Sequence, residues 1–215
     1  MASILLPIAA YLLGSVPFAL VIGRLSRGID IRTQGSGNTG ATNVARLCGM
    51  PWGLTALALD IAKGALPVLA GRALGLDWRA LSVVALAAVL GHVYSVFLRF
   101  KGGKAVATSI GAFAALAIWP TLAAVAACVA VIAVTRYVSA GSLTLAVGLP
   151  LACWGLGAPQ YLPLALALAV LLFWRHRANL GRLLRGEESP LGRRKAAGPE
   201  PGAGPGAGPA APPES

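Results

Sequence analysis

The chain has 215 residues, of which 57% are hydrophobic and only 12% charged, and its formal net charge is +11. Its mean hydropathy is +0.74. Because soluble domains carry about 25% charged residues, this composition excludes an ordinary water-soluble protein and predicts an all-α integral membrane protein.

Apolar runs of membrane-spanning length recur along the chain. A bilayer core of about 30 Å requires roughly 20 apolar residues per helix. The first run lacks the charged start and the small-residue cleavage site of a signal peptide, so we expect it to be retained as a helix. The clear candidate spans are residues 4–22, 52–74, 81–98, 138–156 and 161–174.

The apolar run 105–134 can be interpreted in two ways. As one helix it would be about 45 Å long, and as a hairpin turning at Trp119-Pro120 each half would reach about 22 Å. Lys and Arg prefer cytoplasmic loops. Only the hairpin puts 15 of the 18 basic residues on one face. We therefore expect seven transmembrane helices, with the N-terminus outside and the C-terminus cytoplasmic.

The composition changes near the end of the chain. Residues 1–192 are predicted to form one membrane-embedded domain. Residues 193–215 begin with the basic run Arg193-Arg194-Lys195, which could contact anionic headgroups or act as a topology signal. The remaining tail contains only Ala, Gly, Pro, Glu and Ser, so we expect it to be disordered.

The first polar segment, residues 35–43, reads Gly-Ser-Gly-Asn-Thr-Gly-Ala-Thr-Asn and is followed by Arg46. Its small residues leave backbone N–H groups accessible beside hydroxyls and amides, which suits an anion or a polyol. A flexible polar loop is the alternative interpretation. Ordering such a segment costs conformational entropy, and this favours a binding role.

The second polar segment, residues 91–104, ends in Lys101-Gly102-Gly103-Lys104, just before an apolar run resumes. A glycine pair between two lysines at a helix start would offer free N–H groups, the helix dipole and two ammonium groups to a phosphate. It is not a Walker loop, because Ala105 follows the second lysine. Basic residues that merely snorkel at a helix end are the alternative.

The third polar segment continues the last span out of the membrane. At helical spacing Arg175, Asn179 and Arg182 lie along one face, and His176 lies near Asn179. These groups can converge at the level of the lipid headgroups. The alternative is a solvated basic helix end.

Two ionisable residues lie inside the second span. Asp60 and Lys63 stand at i and i+3, close enough to pair. Such groups often mark a functional site, but a structural pair that neutralises itself is at least as good an interpretation. A small transporter for a phosphorylated solute would explain the pair and the basic loops, but it predicts paired halves, which are not apparent. A lipid-binding scaffold would need no convergent motifs.

Together these segments resemble the bacterial membrane acyltransferases that use acyl phosphate to acylate glycerol 3-phosphate. The similarity lies in residues 35–43 with Arg46, in residues 91–108, and in the Arg175-His176 segment through Glu188. Further similar positions are Asp60, Lys63, Gly64 and residues 136–139.

The resemblance implies transfer of a fatty acyl group from acyl phosphate to the 1-hydroxyl of sn-glycerol 3-phosphate. The products would be 1-acylglycerol 3-phosphate (lysophosphatidic acid) and phosphate, in the first step of phospholipid synthesis. It also implies a multi-pass protein of the bacterial cytoplasmic (inner) membrane that contacts membrane lipid and binds no nucleic acid.

The resemblance also implies the site residues. The catalytic positions would be Ser36, Arg46, Lys104, His176 and Asn179. The substrate-binding positions would be Gly37, Asn38, Thr42, Asn43, His92, Lys101, Gly102, Gly103, Thr108, Arg182 and Glu188. Lys104 with the glycine pair would hold the phosphoryl group of the donor.

Some positions depart from the family pattern. Where the family commonly reads His-x-Phe-Pro and Lys-Gly-Gly-Lys-Gly, this chain has Tyr94-Ser95 and Ala105, which remove a fixed turn and a flexible backbone position. Neither His92 nor His176 begins the His-x4-Asp signature of acyl-CoA acyltransferases. We expect catalysis by positioning and charge stabilisation, without metal or another cofactor, since phosphate leaves readily at neutral pH.

Overall fold

The computed structural model describes residues 1–191, and every regular element in that range is helical. The described part contains α1 (Ala2–Ser15), α2 (Phe18–Arg27), α3 (Ala41–Cys48), α4 (Met50–Ala73), α5 (Trp78–Val93), α6 (Val106–Leu116), α7 (Ile118–Thr135), α8 (Val138–Gly155) and α9 (Leu162–Leu184). Short 3₁₀ turns lie at Val96–Leu98 and Pro159–Tyr161. The predicted all-α class is confirmed. The predicted basic stub and tail, residues 193–215, lie outside the described residues.

Within residues 1–191, five helical segments are long and apolar enough to cross a membrane. They are Ala2–Arg27, Met50–Ala73, Trp78–Leu98, Ile118–Thr135 and Val138–Gly155. Large apolar side chains on these helices face outward, among them Trp119 and Trp154, as expected where lipid replaces water as the neighbour. The protein is a multi-pass membrane protein.

The first predicted span is not one continuous helix. α1 ends at Ser15, and α2 begins directly after Pro17, whose ring and missing N–H disfavour a continuous helix at this point. Neighbouring helices satisfy two carbonyls at this break. The Ser95 hydroxyl donates to the Ser15 carbonyl at 2.5 Å, and Lys63 Nζ donates to the Val16 carbonyl at 2.9 Å.

The apolar run 105–134 forms two helices and not one. α6 and α7 meet at Ala117, slightly before the predicted Trp119-Pro120 turn. Pro120 lies instead in the first turn of α7, where a missing N–H removes no hydrogen bond of the helix. The choice of two helices over one is thus confirmed, although the turn lies earlier than expected.

Close helix packing fixes the ends that carry the polar segments. α1 packs on α5, α4 on α6, α7 on α8, and α8 on α9. α4 and α6 approach so closely that a Cβ atom on Gly64 would clash with the carbonyl oxygen of Thr108, and one on Gly111 with that of Ile61. Small residues at such crossings are typical of membrane helices. α6, which begins just after Lys104, is therefore held firmly against α4.

Candidate active site

The loop between α5 and α6 is tied to the end of α5. The Gly102 N–H donates to the Val93 carbonyl at 3.0 Å, and the Gly103 N–H donates to the His92 carbonyl at 3.1 Å. Arg175 of α9 donates to the Gly102 carbonyl at 2.9 Å and to the Gly103 carbonyl at 3.2 Å. The expectation that these N–H groups are free for a phosphate is wrong, because the end of α5 supplies acceptors for both.

Both glycines are required by the close approach of His92. A Cβ atom on Gly102 would clash with the His92 carbonyl oxygen, and one on Gly103 would clash with His92 Nε2. His92 is buried beneath the turn, with Nδ1 at 3.0 Å from Oγ1 of the fully buried Thr108. His92 and Thr108 were predicted as substrate contacts, but this placement favours support of the glycine turn from behind.

Lys104 extends from the glycine turn to α9. Its Nζ donates to Oδ1 of Asn179. Burial lowers the pKa of Lys104 to about 8; the charge of Glu188 opposes this shift, and the guanidinium groups of Arg182 and Arg175 add to it. The ammonium group is therefore mostly charged at neutral pH and loses its proton only slightly above it.

Glu188, in the segment after α9, links three side chains. Its Oε1 accepts from Asn179 Nδ2 at 2.7 Å and from Ser139 Oγ at 2.9 Å, and its Oε2 accepts from Arg182 Nε at 2.7 Å. Burial acts to raise the pKa of Glu188, but these hydrogen bonds outweigh it and hold the pKa below its usual value. Because an ionised carboxylate repels phosphate, we infer that Glu188 orients Asn179 and Arg182 and does not itself contact a substrate phosphate.

Arg46 reaches the same cluster from α3, a helix that the sequence analysis did not predict. One terminal nitrogen of its guanidinium donates to the Ser189 carbonyl at 3.2 Å. Its Nε is buried and has no hydrogen-bond partner within the described part of the chain. A buried donor left unpaired is costly, so this N–H group is available to an anionic ligand beside Lys104.

His176 lies on the buried face of α9. Its Nδ1 is 2.8 Å from the Leu172 carbonyl oxygen. A carbonyl only accepts hydrogen bonds, so Nδ1 carries the proton, and in the neutral ring Nε2 is left as an acceptor. The ring orientation is thus set by the helix itself.

The first polar segment is folded around Asn43. Its Nδ2 donates to the carbonyls of Ile31 at 2.8 Å and Gln34 at 3.3 Å, and its Oδ1 accepts from the Ser36 N–H at 3.0 Å. Gly35 has φ +62°, and a Cβ atom there would clash with Asn43 Oδ1. Both amide hydrogens of Asn43 are used internally, which favours a role in holding the loop together; the substrate-binding role of this residue stays a prediction.

The remaining residues of this segment lie nearer the surface. Ser36 and Gly37 are exposed, and Asn38 and Thr42 are half-buried. In the described residues, only Arg46 of the first motif has a hydrogen bond to the segment that carries Glu188.

The contacts of Ser139, Arg175 and the Ser189 carbonyl were not predicted from the sequence. The sequence analysis placed Arg175 on the same helical face as Asn179 and Arg182 but gave it no role in the site. Ser139 lay only in a stretch that resembled the family, and a backbone carbonyl such as that of Ser189 gives no sequence signal. The segment after α9 is further fixed because the Leu191 N–H donates to the Arg136 carbonyl at 2.7 Å.

Asp60 and Lys63 form a buried ion pair, with Nζ at 2.8 Å from Oδ1. Lys63 also caps the Val16 carbonyl at the break between α1 and α2. This arrangement favours the structural interpretation of the pair. Within residues 1–191, no group of His, Cys, Asp and Glu side chains could hold a metal ion.

The geometry can be compared with known proteins. The family model described as glycerol-3-phosphate acyltransferase matches residues 4–186. The chain belongs to the glycerol-3-phosphate acyltransferase family. The resemblance on the three polar segments is thereby confirmed.

Two relatives in this acyltransferase family are about half identical to the chain. The glycerol-3-phosphate acyltransferase of Maridesulfovibrio salexigens is 52% identical over 186 residues, which cover 86% of this chain and 95% of that protein. That of Solidesulfovibrio magneticus is 54% identical over 188 residues, which cover 87% of this chain and 94% of that protein.

Two crystal structures of PlsY (YgiH), an integral membrane glycerol 3-phosphate acyltransferase, share the fold. Its glycerol 3-phosphate form is 41% identical with a TM-score of 0.85, covering 89% of this chain and 96% of that chain. Its lysophosphatidic acid form is 40% identical with a TM-score of 0.82, and the match covers 88% of this chain and 95% of that chain.

Proposed function

We propose that the protein transfers a fatty acyl group from acyl phosphate to the 1-hydroxyl of sn-glycerol 3-phosphate, releasing phosphate and 1-acylglycerol 3-phosphate. This proposal rests on family membership and on one observation above all. Lys104 and the unpaired Nε of Arg46 lie in one cluster with a neutral amide, Asn179, and a carboxylate already saturated by hydrogen bonds. Such a cluster suits substrates that both carry phosphate.

In this proposal Lys104 holds the phosphoryl group of the donor. The glycine pair lets the backbone pass close to His92, and this close contact fixes the backbone position from which the Lys104 side chain extends. Asn179 Oδ1 aims the ammonium group, because its Nδ2 is committed to Glu188. Arg46 and Arg182 add positive charge for the phosphate of the acceptor, and Ser36 and His176 complete the surroundings of the reacting centre.

The chemical step is a substitution at the acyl carbon. The 1-hydroxyl oxygen of glycerol 3-phosphate forms the new ester bond, and the bond between the acyl carbon and the phosphate oxygen breaks. The hydroxyl proton passes to an oxygen of the departing phosphate of the acyl donor, so hydrogen phosphate leaves. The protein contributes positioning and positive charge near the developing oxyanion, and both effects lower the barrier without a metal ion.

We further propose that the protein spans the bacterial cytoplasmic (inner) membrane seven times. The spans would be α1 with α2, α4, α5, α6, α7, α8 and α9, with the N-terminus outside. The clustering of Lys104, Arg46 and Arg182 supports this orientation, because it collects the basic segments at one end of the bundle. Residues 1–192 would form the single catalytic domain, and membrane lipid would surround it.

Purified protein in detergent provides the test. We expect conversion of glycerol 3-phosphate with palmitoyl phosphate, inhibition by inorganic phosphate, and little product with palmitoyl-CoA or with an acyl-carrier-protein thioester. If a thioester supports turnover as well as palmitoyl phosphate does, the acyl-phosphate assignment must be abandoned. Donor-independent uptake of glycerol 3-phosphate into vesicles would favour a transporter instead.

A further inference from the structure

A cleft of about 600 Å³ opens between the first polar segment and the loop that follows α5. Gly102 joins it to the candidate active site, since this residue lines the cleft while its carbonyl accepts from Arg175. Lys104, Arg46 and Asn179 do not line it. The cleft therefore adjoins the active-site cluster but is a separate cavity.

The cleft is cationic. Arg32, Arg99 and Lys101 line it, and no acidic residue does so. Arg32 is paired with Asp30, at 2.6 Å between guanidinium nitrogen and carboxylate oxygen. Arg99 and Lys101 are exposed and form no ion pair within residues 1–191. Their uncompensated charges attract an anion into the cleft.

The residue Thr39 also belongs to the lining of this cavity. Thr39 lines the cleft and is only 7% exposed. The side chain of Thr39 makes no hydrogen bond to the part of the chain that the structure describes. A hydroxyl can both donate and accept, so the Thr39 hydroxyl is free to pair with a ligand oxygen in the cleft.

The loop that carries the cations also carries exposed aromatic rings. Phe97 is 59% exposed and Phe100 is 60% exposed. Arg99 and Phe100 both adopt left-handed conformations, with φ of 52° and 62°. The Phe100 N–H donates to the Ser95 carbonyl at 2.8 Å, which holds the turn. Strained residues held in this way are concentrated at ligand sites, and aromatic rings are typical of the membrane interface.

We propose that this cleft binds the headgroup of an anionic membrane phospholipid, a ligand distinct from both substrates. The phosphate of the lipid contacts Arg99, Lys101 and the Thr39 hydroxyl, and its acyl chains pass along Phe97 and Phe100 into the bilayer. The volume is in the usual range for a small-ligand site. Lys101, predicted as a substrate contact, thus belongs to a second phosphate site.

Lipid binding to the whole protein tests this proposal. Delipidated protein in neutral detergent is titrated with dioleoyl phosphatidylglycerol or dioleoyl phosphatidylcholine, and bound lipid is counted by native mass spectrometry. We expect phosphatidylglycerol to bind more tightly than phosphatidylcholine. Arg99→Gln should weaken phosphatidylglycerol binding about fivefold, the usual effect of one cation at a membrane surface. Arg99→Lys should preserve binding, and Arg79→Gln, at an exposed arginine outside the cleft, should not affect it.

Three results would overturn the proposal. The first is equal binding of the two lipids, and the second is an Arg99→Gln variant that binds phosphatidylglycerol as the unchanged protein does. The third is complete displacement of phosphatidylglycerol by palmitoyl phosphate or glycerol 3-phosphate, which would make the cleft part of the substrate site. Acyltransferase activity of Arg99→Gln in neutral detergent shows that the variant is folded; the lipid comparison and the displacement experiment need no variant.

Discussion

The charge of Lys104 depends on its surroundings. Burial lowers its pKa to about 8, so raising the pH through this value removes the positive charge from the site. Phosphate monoesters keep their negative charge over the same range. We therefore expect kcat/KM for palmitoyl phosphate to fall as the pH rises above about 8, because this parameter reports the ionisation of the free enzyme.

Lys104→Arg provides the matched control, because a guanidinium group stays charged to beyond pH 12. Its activity should be lower, since its shape differs, but the alkaline decrease should disappear. The measurement is kcat/KM for both proteins from pH 6 to pH 10. The same decrease in both would assign the titration to another group.

Ala105 is a second residue with a testable conformation. Its φ is +60° at the start of α6, a left-handed conformation that costs a residue with a Cβ atom about 1–2 kcal/mol. The acyltransferase family commonly has glycine at the position of Ala105. We expect Ala105→Gly to raise the midpoint of thermal unfolding in detergent, because release of this strain exceeds the entropy that glycine adds to the unfolded chain.

Ala107→Gly, within the helical part of α6, is the control for Ala105→Gly. It should lower the stability, since glycine in a helix interior costs about 1 kcal/mol relative to alanine. Destabilisation by both substitutions would show that Ala105 is not strained.

At the residue scale, the sequence indicated the charged groups but not how they are held. The resemblance implied Lys104, Arg46 and Asn179 as catalytic positions, and their side-chain types suit phosphate. The acceptors of the Gly102 and Gly103 N–H groups could not be predicted from the sequence, since any backbone carbonyl can accept such a hydrogen bond. The internal hydrogen bonds of Asn43 could not be predicted either, because a polar side chain in a glycine-rich loop can bind a ligand or its own backbone.

At the scale of helices, the contact between α4 and α6 positions Lys104. Gly64→Ala should destabilise the protein by about 1–3 kcal/mol, because the added methyl group would clash with the Thr108 carbonyl. Gly148→Ala in α8 is the matched control, since its Cβ atom would lie 3.7 Å from Ala124, an ordinary contact. Unfolding of both variants in detergent gives the comparison; equal stability would mean that the crossing is not tightly packed.

The differences between the predicted spans and the observed helices show which helix boundaries can be predicted from the sequence. The charge distribution predicted that the run 105–134 forms two helices, and Trp119-Pro120 gave the position of the turn only approximately. The break at Pro17 was missed because the apolar run continues through it, although proline is a standard sign of a helix end. α3 was missed because its residues 41–48 were assigned to a glycine-rich loop.

At the scale of the whole molecule, the proposed orientation can be tested by labelling. Arg79→Cys and Lys101→Cys are made in a background in which the native Cys48, Cys128 and Cys153 are replaced by alanine. An impermeant maleimide added to intact cells should label position 79 and spare position 101, because basic segments stay on the cytoplasmic side. Strong labelling at position 101 would exclude the seven-span arrangement.

The all-helical, multi-pass class was predictable, because the length and composition of the apolar runs indicate membrane helices directly. The convergence of three distant segments was predicted through resemblance and not through spacing. The segment that completes the cluster, with Glu188 and Ser189, depends on tertiary contacts with α3 and α8 that no local pattern encodes.

The central claim is that Lys104 binds a phosphoryl group in an acyltransferase site. Steady-state kinetics of Lys104→Gln and Arg27→Gln with palmitoyl phosphate and glycerol 3-phosphate test it most directly, since Arg27 is an exposed arginine at the end of α2. Loss of one charge-assisted contact costs about 1.5–3 kcal/mol, so kcat/KM should fall roughly tenfold to a hundredfold for Lys104→Gln. Arg27→Gln should leave it unchanged. Equal, small effects of the two substitutions would contradict the account.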